Sequence, residues 1–108
     1  MKPPYSLALL TDPPTWRGTA LSGRPLDLLA VLAASPQTRV SDDILIEALW
    51  PDDVPARPLR ALHVVVSRVR AVVGEGVVER LGDGYRLALP AAQIDACDLA
   101  DRAERART

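Results

Sequence analysis

The segment Arg57-Pro-Leu-Arg-Ala-Leu-His-Val-Val-Val-Ser-Arg-Val-Arg70 decides the fold, because it separates apolar and basic residues onto two faces of one helix. With about 100° of rotation per residue, one stripe collects Leu59, Leu62, Val66, Val69 and Val73. The other stripe collects Arg57, Arg60, Val64, Ser67 and Arg68, and Val65 is expected on or near this exposed side. The pattern therefore predicts a helix over 58–73 whose apolar face is anchored and whose basic face meets an acidic partner.

Two short β-type runs follow this helix. Val77–Arg80 and Tyr85–Leu89 are separated by Gly82-Asp-Gly84, which is typical of a tight antiparallel hairpin. Pro58 suits the first turn of the helix, where its missing N–H costs little, and Gly74 ends the helix. A basic helix followed directly by a tight hairpin predicts a winged helix.

The residues before this pair complete an α+β fold. Tyr5–Leu10 and Thr15–Leu21 flank a proline turn and predict a small N-terminal antiparallel sheet. Ser22 is a good N-cap for a first helix over 23–34, and Ser41 for a second helix that runs to Trp50. Between them, residues 39–40 allow only a brief strand. The expected architecture is a winged helix-turn-helix with an N-terminal antiparallel β-sheet, a three-helix core and a C-terminal β-hairpin wing.

Composition narrows the class of protein. The 108 residues suit one domain, and 48% hydrophobic with 25% charged residues excludes a disordered chain. The apolar runs are too short to cross a membrane and the N-terminus lacks a signal peptide, so the expected compartment is the cytoplasm. The single Cys97 supports neither a disulfide nor a zinc site, and no metal or other cofactor is expected.

The net charge of −1 conceals an uneven distribution. Residues 57–86 carry six Arg against three acidic residues, residues 1–56 carry four basic against seven acidic groups, and residues 87–108 carry three against four. The basic end of the molecule is therefore at +3. Because charges are screened beyond about 8 Å at physiological salt, a phosphate at that end would hardly sense the acidic remainder.

The tail Ile94–Ala106 is rich in helix formers, with Asp95 and Asp98 at a spacing like that of a capping box. Its apolar side is thin, and Leu99 is expected to be exposed. A helix of this kind predicts the first element of a following domain.

Four blocks of sequence together resemble the OmpR/PhoB-type winged-helix DNA-binding domain. They are Leu21-Ser-Gly-Arg24, Val40-Ser-Asp-Asp-Ile-Leu-Ile-Glu-Ala-Leu-Trp50, Ala61-Leu-His63 with Val66-Ser-Arg-Val-Arg70, and Gly82-Asp-Gly-Tyr-Arg-Leu87. More narrowly, the chain is similar to the N-terminal domain of SARP-type regulators of antibiotic pathways, which a helical bacterial transcriptional activation domain (BTAD) follows. The tail Ile94–Leu99 resembles the start of that region. The resemblance thus implies a winged-helix domain over 1–90 and the start of a BTAD-like region over 91–108.

The resemblance implies sequence-specific binding to double-stranded DNA, with helix 58–73 in the major groove and the wing, 77–89, on the minor groove or backbone. Arg60 and Arg68 would read guanines and Val64 a thymine methyl group. Side chains expected to hold phosphates are Arg24, Arg57, Ser67 and Arg70. Arg80 and Arg86 would act from the wing. The remaining predicted DNA-binding residues are Ala61 and His63.

The family also implies partners. Direct repeats in promoters would be bound by head-to-tail copies of a domain that is monomeric in solution, as part of a transcriptional activator. Asp52 and Asp53, in the loop between the second and third helices, would contact RNA polymerase.

Two other classes of function remain open. The near-neutral net charge and the exposed valines allow a winged helix that binds a protein instead of DNA. An enzyme is the weakest alternative, because the sequence offers no metal-ligand cluster, no Gly-rich phosphate loop after a strand and no paired catalytic carboxylates.

Overall fold

The computed structural model describes residues 5–107, with side chains as far as residue 106. The helices are α1 (Gly23–Ala33), α2 (Asp42–Leu49), α3 (Pro58–Val73) and α4 (Asp95–Arg107), and a 3₁₀ turn spans Ala91–Gln93. The strands are β1 (Leu7–Ala8), β2 (Thr15–Trp16), β3 (Thr19–Ala20), β4 (Val40–Ser41), β5 (Val78–Leu81) and β6 (Gly84–Leu87). The α+β winged helix expected from the sequence is confirmed.

Two antiparallel sheets of three strands flank the helices. The N-terminal sheet has the order β1-β2-β3, and the second has the order β4-β6-β5. β5 and β6 form the predicted hairpin around a two-residue loop, with Leu81 opposite Gly84. The brief strand before α2 pairs with β6, with Val40 opposite Tyr85. Residues that are distant in sequence therefore fix the hairpin against the start of α2.

The helices α1, α2 and α3 enclose one core. Its fully buried leucines include Leu28, Leu29 and Leu32 of α1, Leu45 of α2 and Leu62 of α3. Leu87 of β6 is buried with them, so the second sheet closes the core. Each helix contributes residues spaced three or four apart, which is the spacing that places side chains on one helical face.

The predicted helix boundaries are close to those observed, and Ser22 stands at the N-cap of α1 as expected, but two details of α3 were wrong. Leu59 is 52% exposed, whereas Val65 is only 4% exposed. The buried arc is centred between Leu62 and Val69, so it includes Val65, and the first turn of α3 lies outside the core. Ser41 Oγ accepts a bond from Ile44 N–H at 3.3 Å as expected, but the Ser22 side chain makes no cap bond.

The start of α4 packs on the N-terminal sheet. Ile94 is fully buried, and the buried Asp95 carboxylate accepts bonds from the N–H groups of Leu9 and Leu10 at 2.7 and 3.0 Å. The Tyr5 hydroxyl donates to Asp98 at 2.7 Å, and this bond raises the pKa of Tyr5. The two aspartates thus bond to the N-terminal segment and do not form the capping box suggested by their spacing.

Gly84 is required by the close approach of β6 to β4. A β-carbon at this position would lie 2.5 Å from the Val40 carbonyl oxygen, an atom of the partner backbone that cannot turn aside. A side chain here would therefore separate the hairpin from α2.

We expect Gly84→Ala to reduce the free energy of unfolding by about 3 kcal/mol, because overpacking against backbone forces a shift of the strand. Gly76→Ala is the matched control, since a β-carbon there meets nothing within 4 Å and only the positive φ opposes it. That control should lose about 1 kcal/mol. Urea unfolding measures both, and equal losses would show that the hairpin can move away from β4 freely.

Candidate nucleic-acid interface

Three arginines, at the N-cap and on the outer face of α3, have no ion-pair partner among the described side chains. Arg57, Arg60 and Arg68 are all exposed, and among the side chains described, 5–106, none of them forms an ion pair. The reason is local, because α3 contains no Asp or Glu that could pair with them at a spacing of three or four residues. These three residues are called the free basic face below.

Other predicted contact residues lie beside these arginines. Val64 is 47% exposed, which is unusual for valine, and Ser67 and His63 are exposed along the same helix. Ala61 is half-buried, so only part of its surface is open. The buried side of α3 packs against α1 and α2. The outer face of the helix is therefore open to a partner.

Arg70 has a different environment from the one expected of a free phosphate contact. Its Nε and Nη2 donate to the Val78 carbonyl oxygen at 3.2 and 2.9 Å, and its guanidinium lies 5.9 Å from the centre of the Tyr85 ring. The side chain is half-buried. Arg70 therefore joins the end of α3 to the hairpin, and two of its donors are already occupied.

Arg80 is likewise engaged with other parts of the fold, although its side chain is partly exposed. Its Nη1 donates to Asp42 Oδ1 at 2.7 Å, and its guanidinium stacks 4.8 Å from the centre of the Tyr85 ring. The Asp42 side chain is buried, and this hydrogen bond raises the pKa of Arg80. The sequence suggested only that Asp42 sits favourably at the start of α2. Its ion pair requires the hairpin to fold back on that helix, which no local pattern shows.

Arg86 and Arg24 also have acidic partners. Arg86 Nη2 bonds to Glu79 Oε2 across the hairpin, and the two residues are directly opposite in the β5–β6 register. A two-residue loop at Gly82-Asp83 fixes that register, so this pair could have been predicted from the sequence. Arg24 forms an exposed ion pair with Asp27 at 3.4 Å and lies 5.8 Å from the Trp50 ring, at the end of α2.

An open cleft of about 680 Å³ lies between α3 and the hairpin. The polar and charged residues along it are His63, Ser67, Arg70, Glu75, Arg80 and Tyr85. It lies directly beside the free basic face, because His63 and Ser67 belong to the same helix as Arg60 and Arg68. This space is called the α3–hairpin cleft below.

The loop between α2 and α3 forms a separate exposed surface. Asp52 and Asp53 are both exposed there, next to Val54, which is 55% exposed. At the hairpin loop, Asp83 pairs with Arg39, and its carbonyl oxygen accepts the Asp42 N–H at 2.9 Å.

Three helices, a hairpin linked to the start of the second helix by the Asp42–Arg80 pair, and a free basic face on the third define a winged-helix domain of the DNA-binding type. The model for "Transcriptional regulatory protein, C terminal" matches residues 17–87, more than half of the chain. The chain belongs to this OmpR/PhoB-type family of DNA-binding domains from transcription regulators. Within residues 5–107, no helix has both the length and the apolar character needed to cross a membrane.

Individual relatives agree with this family. The chain is 33% identical over 100 residues to the regulatory protein AfsR of Streptomyces griseus, and 35% identical over 101 residues to AfsR of Streptomyces coelicolor. These matches cover 85% and 86% of the chain but only 10% of each AfsR protein. The chain therefore spans about a tenth of the length of these relatives, which are SARP regulators.

Solved structures give the same fold. Mycobacterium tuberculosis EmbR, in a complex with a low-affinity phosphopeptide, superposes with a TM-score of 0.72 at 28% identity, over 87% of this chain and 27% of EmbR. The C-terminal domain of the nisin resistance regulator NsrR superposes with a TM-score of 0.56 at 24% identity, over 83% of this chain and 92% of that domain. The NsrR likeness bears on the fold alone.

The two ion pairs of the hairpin should differ in their contribution to stability. We expect Asp42→Asn to lower the free energy of unfolding by about 1–2 kcal/mol, because the Asp42 carboxylate is buried while Arg80 is partly exposed. Glu79→Gln is the matched control, because the Glu79 side chain is more exposed than that of Asp42. This variant should change the free energy of unfolding by about 0.5 kcal/mol or less. Equal losses in urea unfolding would contradict a special role for Asp42.

Proposed function

We propose that this domain binds double-stranded DNA in a sequence-specific manner, with α3 in the major groove and the hairpin on the minor groove or its backbone. The observation that carries the proposal is the free basic face, since three unpaired arginines on one exposed helix face are matched to a polyanion. B-DNA has a major groove wide enough to admit such a helix. This role requires no catalytic chemistry.

Contacts with bases and with phosphates fall to different residues in this proposal. Arg60 and Arg68 each present a planar guanidinium that can bond to guanine O6 and N7, and Val64 between them can pack on a thymine methyl group. Arg57 and Ser67 are assigned to phosphates, with Ala61 close to the backbone. Arg24 is also assigned to a phosphate, with Asp27 as a competing partner for its exposed guanidinium.

The arginines at the junction of α3 and the hairpin have a structural role beside the DNA contact expected of them. Arg70 and Arg80 orient the hairpin through Val78 and Asp42, and offer only their remaining donors to DNA. The charge of Arg86 is offset by Glu79, so its contribution to binding should be small. Most of the electrostatic attraction is therefore assigned to α3.

The wider assembly follows from the family and is proposed with the DNA contact. Head-to-tail copies of a domain that is monomeric in solution would occupy direct repeats in promoters, in the cytoplasm. Asp52 and Asp53 would contact RNA polymerase in an activator of a biosynthetic pathway. Residues 91–108 would begin a BTAD-like helical region, with its first turn fixed to the winged helix through Asp95.

A protein-binding winged helix is the second candidate, and the exposed Leu59 and Val64 on α3 favour it. The two candidates differ in their dependence on salt. Each phosphate neutralised by the protein contributes a slope of about −0.9 to log K against log salt. A protein partner that docks on exposed apolar residues would not show such a slope.

We expect fluorescence anisotropy to show binding of a random duplex pool at low salt, followed by enrichment of a repeated motif when bound DNA is selected and sequenced. On the enriched duplex, Arg60→Ala should weaken binding by about 10- to 100-fold, because one bidentate base contact is lost. Arg57→Ala should reduce the salt slope by about one unit, as for a phosphate contact.

Arg102→Ala is the control, since Arg102 lies on α4 and pairs with Asp98. It should leave DNA affinity unchanged. No binding of the wild-type domain at low salt would exclude the DNA-binding proposal and favour the protein-binding candidate.

A further inference from the structure

His63 is the only histidine in the chain, and it lies on the wall of the α3–hairpin cleft. It is exposed on α3, one turn after Arg60 and one turn before Ser67. It is therefore positioned between the free basic face and the two arginines of the hairpin junction. Histidine is the side chain whose unperturbed pKa lets it gain or lose a proton between about pH 5 and pH 8.

The other cations of the cleft are held in place before any ligand arrives. Arg70 is fixed by two bonds to the Val78 carbonyl oxygen, and Arg80 by its bond to the buried Asp42. Each guanidinium has more N–H groups than these partners use, because arginine carries five donors. With the Ser67 hydroxyl beside them, these donors form a site for an anion that needs little reordering on binding.

The cleft is open to solvent and can therefore admit a backbone phosphate of a duplex whose major groove receives α3. Such a phosphodiester carries a single negative charge, and arginine and hydroxyl donors are the usual phosphate contacts in protein–DNA complexes. The cleft lies beside the free basic face along α3. A DNA strand that contacts Arg60 and Arg68 would therefore pass next to the cleft.

The charged groups that face His63 come from three elements. Arg70 lies on α3, Arg80 and Tyr85 lie on the hairpin, and Glu75 lies on the turn between them. Arg60 precedes His63 by one turn on α3 but does not line the cleft. Asp42, on α2, is engaged with Arg80. A phosphate entering the cleft adds a negative charge next to the ring, and a nearby opposite charge favours the protonated form of an imidazole.

We propose that the α3–hairpin cleft holds one DNA backbone phosphate and that His63 takes up a proton from solvent when this phosphate binds. This inference rests on the proposed DNA-binding function. DNA affinity then depends on pH through a single side chain.

The direction of the dependence follows from linkage. Far below the titration range, His63 is protonated with or without DNA, and affinity is highest and constant. Far above that range it is neutral in both states, and affinity is lowest and constant. Between these limits affinity falls as pH rises, by at most a factor of about ten per pH unit for one proton.

The test is anisotropy titration of a labelled random-sequence duplex at about pH 6 and about pH 8, at constant ionic strength. The wild-type domain should bind about tenfold more tightly at the lower pH. His63→Gln should bind with the weaker affinity at both values, and His63→Lys should bind with nearly the same, tighter affinity at both. Because His63 is exposed, we expect both variants to fold.

Two further measurements separate His63 from the other groups. Glu75→Gln should retain the pH dependence, because Glu75 is the acidic residue that lines the same cleft. In proton NMR the single imidazole signal should titrate at higher pH when the duplex is added. Binding that is independent of pH, or a pH dependence that persists in His63→Gln, would overturn the inference while leaving DNA binding intact. Absence of binding by the wild type at both pH values would instead overturn the proposed function.

Discussion

The position of the hairpin depends on the buried carboxylate of Asp42. This residue begins α2, directly after the short strand that pairs with β6, and its side chain holds Arg80 from the neighbouring β5. A buried carboxylate without its cation would be strongly unfavourable, so the pair permits few alternative positions of β5 against α2. The Tyr85 ring, stacked under Arg80, and Gly84, pressed against the Val40 carbonyl, belong to the same junction. The α3–hairpin cleft is a consequence of this arrangement, because the hairpin forms one of its walls.

The arginines of this domain divide into two groups with different physical roles. Those on the hairpin and at the end of α3 are paired with a carboxylate or a carbonyl oxygen, and they give the fold its shape. Those on the outer face of α3 have no acidic residue within reach along the helix and remain available. A count of charges over 57–86 treats both groups alike. The distinction matters because a guanidinium without a carboxylate partner can release counterions from DNA with its full charge, whereas the charges of Arg80 and Arg86 are offset by Asp42 and Glu79.

The N-terminal sheet and α4 form a second junction, at which a buried carboxylate also acts. Asp95 accepts the N–H groups of two residues of the N-terminal segment, and Tyr5 bonds to Asp98 one turn later. Beyond this turn the helix is exposed, and its ion pairs, such as Arg102 with Asp98, lie within the helix. The orientation of α4 is therefore set by the first strand. Chain that continues from α4 as a helix would inherit that orientation.

The sequence alone determined the elements and their order, because these depend on local signals: the periodicity of α3, the proline at its start, the cap at Ser41 and the two-residue hairpin loop. It also placed Arg60, Val64 and Arg68 correctly on the exposed face, since a helical face follows from spacing. The tertiary structure decided which arginines are free, because Arg70 and Arg80 meet partners that lie eight and thirty-eight residues away in sequence. It also decided the burial of Val65 and the exposure of Leu59, since the edge of a buried stripe depends on where neighbouring elements end. The partners of Arg70 and Arg80 and the edges of the buried stripe are properties of the packed chain, and no local pattern encodes them.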